Sequence, residues 1–156
     1  MIDAARIAGL IAVLSTGVVY GTDVFCALVQ RPALARVDDR ALTTVMGNVH
    51  RYGDRRMPIP GTLGIIAAAT CAAVAGIAGR WVEAVLAATA VVLLLAWITL
   101  YRNVSEPINR QLAAAAERGD VPANVRVLQS NWDRIITTRA ILQGLAVAAL
   151  CIALLI

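Results

Sequence analysis

A long apolar run with one carboxylate inside it constrains this chain more than any other feature. The run extends over Ile7–Val29 and contains Asp23. At about 1.5 Å per residue, it is long enough to cross a bilayer as a helix. A carboxylate at membrane depth costs roughly 2.5–3.5 kcal/mol, so Asp23 must face the protein interior, be paired or be protonated. Gly17 and Gly21 form a small-xxx-small pair, which predicts that another helix approaches closely here.

Composition places the chain among integral membrane proteins. It is 60% hydrophobic and only 15% charged, its mean hydropathy is +0.74, and its apolar residues stand in long runs. We therefore expect one membrane-embedded domain over residues 1–156. The net charge of +4 comes from arginines that flank the apolar runs, which favours membrane topology over nucleic-acid binding. Cys26, Cys71 and Cys151 lie singly inside apolar runs and are interpreted as packing residues.

Hydropathy and turn residues divide the chain into four membrane spans. The expected spans are residues 7–29, 59–77, 81–101 and 135–156. The first is too long for a signal peptide and contains Asp23, so we interpret it as a span. Pro32 is expected to end or kink it. Trp97 and Tyr101 are expected to lie at a membrane interface, where aromatic residues form belts.

The arginines predict the orientation. Segments 31–57 and 102–139 contain twelve of the fourteen arginines, whereas the opposite side has only Arg6 and Arg80. Because basic residues concentrate in cytoplasmic loops, we expect both basic segments in the cytoplasm and both termini outside the cytoplasmic membrane. The predicted fold class is all-α, an up-down-up-down four-helix membrane bundle. Its helices are expected to extend into a polar cytoplasmic crown, formed by residues 31–57 and 102–134.

Depth along the helices pairs Asp23 with Arg139. Asp23 lies eight residues before Arg31, which is about 12 Å below the cytoplasmic surface. Arg139 lies near the start of the fourth apolar run, slightly inside the bilayer, and Gln143 adds a polar group one turn further. The two depths nearly match. The pair is either a structural clamp between two helices or the charged floor of a substrate pocket.

The crown contains a second group of candidates. His50 is the only histidine, and Asp54 lies four residues further on the same helix face. A carboxylate that hydrogen-bonds an imidazole raises its basicity, so we interpret the two as a general base and its orienting partner. Arg139 completes the predicted catalytic set. The alternative is that His50 is a surface residue of a crown helix.

Trp132 and Asn109 are expected to wall a crevice for a flat aromatic compound. Trp132 lies seven residues before Arg139 on the same helix face, about 10 Å closer to the cytoplasm. Together with Asp23 and Tyr20, they make the candidate substrate-binding set. The alternative for Trp132 is an interfacial anchor.

Metal binding is a weaker interpretation of the same region. Asp23, His50, Asp54 and Glu106 offer a mixed nitrogen and oxygen set that would suit iron or copper. One histidine without an HxxxH or Glu-x-x-His pair is a weak basis for such a site. The sequence contains no Gly-rich phosphate loop and no nucleotide fingerprint.

Three motifs resemble a family of small four-span membrane proteins of uncharacterised function that includes the anthrone oxygenases of aromatic polyketide pathways. They are GVVYGTDVFCALVQRPAL at residues 17–34, the PIN segment at residues 107–109, and Trp132 followed by Arg139. The resemblance implies a four-helix membrane bundle. For the characterised members, it implies oxygenation of an anthrone to an anthraquinone with molecular oxygen and no known organic cofactor. The chain departs from the family pattern at residues 135 and 136, where isoleucines replace a tryptophan and an asparagine.

The resulting functional hypothesis is a membrane oxygenase or oxidase acting on a lipophilic phenol, anthrone or quinol. His50 would remove a proton, and Arg139 would stabilise the anion that reacts with oxygen. We expect molecular oxygen as co-substrate, no organic cofactor and no nucleic-acid partner. The alternatives are a non-catalytic membrane subunit or small-molecule carrier, and a metal-dependent oxidase. The expected partners are the bilayer and a lipophilic aromatic molecule, and a homo-oligomer is left open.

Overall fold

The chain folds almost entirely into helices. The computed structural model describes the backbone of residues 2–156 and the side chains of residues 4–156. Its α-helices are α1 (Ile2–Phe25), α2 (Arg31–Leu34), α3 (Asp39–Arg56), α4 (Pro58–Ile77), α5 (Trp81–Leu100), α6 (Glu106–Arg118) and α7 (Val125–Leu155). Two π-helical turns, Cys26–Gln30 and Tyr101–Ser105, join α1 to α2 and α5 to α6. Within this described part of the chain there are no strands.

Four helical segments are each long and apolar enough to cross a membrane. They are Ala4–Leu34, Asp39–Ile77, Trp81–Arg118 and Val125–Leu155. α1 packs against α4 and α7, and α5 packs against the same two helices. The four therefore close into a ring of antiparallel neighbours joined by short connections. This arrangement confirms the predicted all-α, up-down-up-down membrane bundle.

Most of the crown is built from the second and third segments, which are much longer than a bilayer is thick. The second and third segments are 39 and 38 residues long, whereas about 20 residues span the hydrocarbon core. The excess forms α3 and α6, which pack against each other. Asp38 caps α3 by accepting a hydrogen bond from the Ala41 N–H at 2.7 Å. Gly119 ends α6 with a φ of 70°, a left-handed conformation that glycine adopts without strain.

Two buried apolar clusters lie on either side of a layer of polar side chains. The cluster in the membrane half consists mainly of small residues, which allow helices to approach closely: Ala8, Ala12, Ala67, Ala68, Cys71, Ala87, Ala90, Leu94, Ala146, Ala149 and Leu150. The cluster in the crown contains larger side chains: Cys26, Leu34, Leu42, Met46, Ile108, Leu112, Val125, Leu128, Trp132 and Ile136. α3 and α6 approach so closely that a Cβ added at Gly47 would collide with Ala116.

The predicted close helix approach at Gly17 and Gly21 is wrong. No neighbouring atom lies within 4 Å of a Cβ built at either glycine. The buried face of α1 repeats through Thr16, Val19 and Asp23, and residue 21 points about 200° away from Asp23 because each residue turns the helix by about 100°. α1 instead approaches α4 closely at Gly64, where an added Cβ would lie 2.6 Å from the Thr16 hydroxyl.

Pro32 does not end the first helix, because a π-helical turn accommodates it. A proline inside an α-helix clashes with the carbonyl four residues earlier and lacks the N–H that would bond to it. In the turn before Pro32, the Arg31 N–H instead bonds to the carbonyl of Cys26, five residues back. The turn before Pro107 repeats this device, with the Glu106 N–H bonded to the Tyr101 carbonyl. Both segments continue as helix beyond their prolines.

Candidate functional site

The centre of the polar layer is a buried ion pair. Asp23 and Arg139 are only 3% and 6% exposed, and Arg139 Nη2 donates to Asp23 Oδ1 at 2.8 Å. Asp23 Oδ2 accepts from Gln143 Nε2 at 2.6 Å and from Trp97 Nε1 at 3.2 Å. The predicted Asp23–Arg139 pair is therefore confirmed. Three donors from α5 and α7 hold the carboxylate, which offsets much of the cost of burying it.

Aromatic rings surround the guanidinium group of Arg139. Its Cζ lies 5.9 Å from the Trp97 ring centroid, 5.5 Å from that of Tyr101 and 5.8 Å from that of Trp132. Arg139 Nη1 donates to Ser105 Oγ at 2.7 Å. Planar guanidinium groups are attracted to the faces of aromatic rings, so this cage favours an arginine over a lysine.

Helix geometry brings these groups together. Arg139 and Gln143 lie one turn apart on α7, and Asp23 lies one turn before the first π-helical turn. Trp97, Tyr101 and Ser105 follow each other at intervals of four residues, so they share one face of the third segment. π-helical turns are rare and often lie at functional sites, and here both lie beside the ion pair.

His50 and Trp132 lie on the crown side of Arg139. Both are 5% exposed, and their ring centroids are 5.5 Å apart at an angle of 52°. His50 Nε2, Trp132 Nε1 and Arg139 Nε are buried and have no hydrogen-bond partner among the described residues. Buried polar atoms are nearly always paired. Three neighbouring side chains therefore have unused hydrogen-bonding capacity.

The predicted hydrogen bond between His50 and Asp54 is wrong. Asp54 Oδ1 accepts from the Tyr101 hydroxyl at 2.8 Å and from Asn109 Nδ2 at 2.9 Å. Both donors come from the third segment. His50, one turn earlier on α3, instead packs against Trp132 on α7. The burial of His50 also overturns the interpretation that it is a surface residue. Asp54 thus joins α3 to the third segment rather than orienting the imidazole.

Two aromatic predictions are also corrected. Trp97 is 7% exposed and donates to Asp23, so it is not an interfacial belt residue. Tyr101, expected in the same belt, donates its hydroxyl to Asp54 in the polar layer. Trp132 is buried in the crown cluster and is not an interfacial anchor. Ser105 was not among the predicted site residues. The four-residue spacing of residues 97, 101 and 105 is the signal that could have identified this polar face.

The remaining candidates lie around this centre. Asn109 is 3% exposed, and its Oδ1 has no partner among the described residues. Tyr20 packs across the backbone of α7, with its ring 3.0 Å from a Cβ built at Gly144. Glu106 faces Arg110 at 3.7 Å on α6. The described residues include no group of three or more His, Cys, Asp and Glu side chains positioned to hold a metal ion.

Two cavities open in the crown, and both are lined by residues outside this centre. One, of about 600 Å³, lies between α6 and the start of α7 and includes Arg110 and Arg118 in its lining. The other, of about 410 Å³, lies between α2 and α7. Neither lining includes His50, Trp132 or Arg139. Trp132, one of the expected walls of the aromatic crevice, instead packs against His50 and Arg139.

Fold and site together define a helical bundle of four potential membrane spans with a buried ion pair and an aromatic cage at its centre. No family model, curated protein or solved structure matches the chain. The resemblance to the anthrone oxygenase family therefore stays an expectation.

Proposed function

We propose that this chain is a membrane oxygenase or oxidase that acts on a lipophilic phenol, anthrone or quinol with molecular oxygen and no organic cofactor. The observation that supports it is the trio of buried, unpartnered nitrogen atoms on His50, Trp132 and Arg139, counted among the described side chains. A weakly acidic aromatic substrate would supply partners for these atoms. His50 can accept its proton, and Trp132 and Arg139 can donate to the oxygen that then becomes negative. The surrounding apolar helices suit a substrate dissolved in the bilayer.

The first step is a proton transfer to His50. A neutral imidazole accepts the proton from the acidic C–H of an anthrone, or from the hydroxyl of a phenol or quinol. The negative charge of an anthrone anion lies largely on its carbonyl oxygen. The Trp132 N–H and the Arg139 guanidinium stabilise that oxygen, and fixed donors in a water-poor site act strongly on developing charge.

Oxygen then reacts directly with the electron-rich anion. One electron passes to oxygen, and the resulting radical pair combines to form a carbon–oxygen bond. The peroxide takes the proton back from the imidazolium and loses water, so a CH₂ group and O₂ become a C=O group and H₂O. A quinol instead gives two electrons and two protons to oxygen, which yields a quinone and hydrogen peroxide.

Asp23 acts in this proposal as a positioning residue. Its carboxylate holds Arg139 in place, so the guanidinium stays beside the Trp132 ring. Asn109 and Tyr20, from the candidate substrate-binding set, lie at the margins of the polar layer. The twelve arginines of the two basic segments support a location in the cytoplasmic membrane, with the crown in the cytoplasm and both termini outside.

The second candidate is a non-catalytic membrane subunit or carrier. It is favoured by the completeness of the Asp23 hydrogen bonds, since Arg139, Gln143 and Trp97 all come from this chain. In that case the pair is a clamp between helices. Activity measurements separate the two candidates.

Oxygen uptake by the purified protein in detergent tests the proposal. With an anthrone or a quinol as substrate, we expect uptake that depends on protein, and His50→Gln should lower the rate by about 10²–10⁴-fold. Asn48→Ala is the matched control, since Asn48 is exposed on the same helix and its side chain donates to the Thr44 carbonyl one turn earlier. Full activity of His50→Gln would contradict the assignment. Loss of activity on chelation, with recovery on adding a metal, would contradict the metal-free mechanism.

A further inference from the structure

The cavity between α2 and α7, which we name the α2–α7 cavity, carries excess positive charge. Its lining includes Arg31, Arg126, Asp133 and Arg134. The guanidinium group of Arg126 is already paired within the chain. Its Nε donates to Asp39 at 2.6 Å, and its two Nη atoms donate to backbone carbonyls of residues 34 and 37. Arg31 and Arg134 form no ion pair with any side chain that the structure describes. Two guanidinium groups and one carboxylate therefore remain, with a net charge of +1.

A buried amide oxygen in the wall of this cavity also lacks a partner. Gln129 is 5% exposed, and its Nε2 donates to Asp133 Oδ1 at 2.9 Å. Its Oε1 accepts no hydrogen bond from the described residues. Leaving a buried acceptor unsatisfied costs free energy, so the wall favours a ligand that donates from a hydroxyl group.

The position of the cavity is that of a lipid headgroup. Only Gln30 separates Arg31 from the apolar run of the first span. Phe25, Leu28 and Val29, on the preceding two turns, are 55%, 72% and 51% exposed. In a bilayer, such side chains contact acyl chains, and the arginine after them stands at the level of the headgroups.

We propose that the α2–α7 cavity binds the headgroup of an anionic phospholipid. Arg31 and Arg134 hold the phosphodiester, since guanidinium groups bind phosphate oxygens through charge-assisted hydrogen bonds. Headgroup hydroxyls donate to Gln129 Oε1 and to the Asp133 carboxylate. A phosphocholine headgroup is electrically neutral and has no hydroxyl to donate, so the cavity discriminates against it. This site is separate from the polar layer and does not depend on the proposed reaction.

Native mass spectrometry of the full chain, released from detergent with added phosphatidylglycerol or phosphatidylcholine, tests this site. We expect one tightly retained phosphatidylglycerol and at least about tenfold weaker retention of phosphatidylcholine, because the choline cation cancels the phosphate charge and the headgroup has no hydroxyl to donate to Gln129 or Asp133. The Arg31→Gln/Arg134→Gln variant should lose the preference. Gln129→Met, which is nearly isosteric and keeps both charges, should weaken phosphatidylglycerol binding several-fold.

Arg110→Gln/Arg118→Gln is the matched control, because it removes two arginines from the lining of the other crown cavity. It should retain phosphatidylglycerol as the unaltered chain does. Equal loss in this control would mean that overall charge drives binding and would overturn the site. Equal retention of phosphatidylcholine would overturn it as well. Displacement of the lipid by millimolar inorganic phosphate would show a free-phosphate site and contradict the lipid assignment.

Discussion

Replacing Asp23 by Asn should destabilise the protein far more than neutralising an exposed ion pair. Asp23 and Arg139 are 3% and 6% exposed, and their charged atoms lie 2.8 Å apart. The substitution retains an acceptor for Trp97 and Gln143 but leaves the guanidinium without a carboxylate. Removing one partner of a buried ion pair typically costs about 3–5 kcal/mol, because the remaining charge is left buried and uncompensated.

The chain provides a matched exposed pair for comparison. Arg51 Nη2 and Glu117 Oε1 are also 2.8 Å apart, but their side chains are 31% and 68% exposed. A solvated pair of this kind contributes about 0–1 kcal/mol, so Glu117→Gln should have little effect. The two substitutions differ mainly in the burial of the charge that they remove.

The assay is the free energy of unfolding in mixed micelles titrated with a denaturing detergent. Asp23→Asn combined with Arg139→Gln should regain part of the loss, because no unpaired charge then stays buried. A cost of Asp23→Asn no greater than that of Glu117→Gln would contradict a buried, uncompensated charge at Arg139. A loss in the double variant equal to the sum of the two single losses would show that the two residues are not partners.

Individual contacts and the arginine distribution give three further predictions. Gly47→Ala should destabilise the crown by about 1–3 kcal/mol because the added Cβ meets Ala116. Gly17→Ala, whose Cβ would lie in open space, should leave the thermal unfolding temperature unchanged and is the control. Trp97→Phe keeps a ring beside Arg139 but removes the donor to Asp23, and should cost about 1.5–3 kcal/mol of unfolding free energy, against no change for Trp81→Phe at an exposed position. A cysteine introduced at Gly79 should react with an impermeant reagent added outside the cell, and one at Asn48 should not; the reverse pattern would contradict the orientation.

The ion pair was predictable because the depth of a residue in a membrane follows from its position along a spanning helix. Counting residues from the ends of two apolar runs placed Asp23 and Arg139 at similar levels, and a buried charge restricts its partner to the opposite sign. The bundle was predictable for the same reason, since four apolar runs of sufficient length leave few arrangements. Both inferences depend on the lengths of the apolar runs and on the charges of single residues, and both can be read directly from the sequence.

The rotation of side chains about the helix axes was harder to predict. Trp97 fits an interfacial belt by position along its helix, and only its rotation toward Asp23 makes it a donor. His50 and Asp54 share a helix face, yet competing donors at Tyr101 and Asn109 take the carboxylate. Each π-helical turn shifts the helical phase of the residues after it, so a regular helical count no longer gives the right helix face beyond residues 30 and 105.

The central claim is that His50 removes a proton from the substrate beside Arg139. It is tested most directly by hydrogen–deuterium exchange at the acidic C–H of an anthrone in D₂O, monitored by NMR without oxygen. The unaltered protein should accelerate exchange above the rate in detergent buffer, and His50→Gln should lose most of that acceleration, by about 10²–10⁴-fold. Exchange at the same rate with and without protein, or equal acceleration by His50→Gln, would contradict the claim.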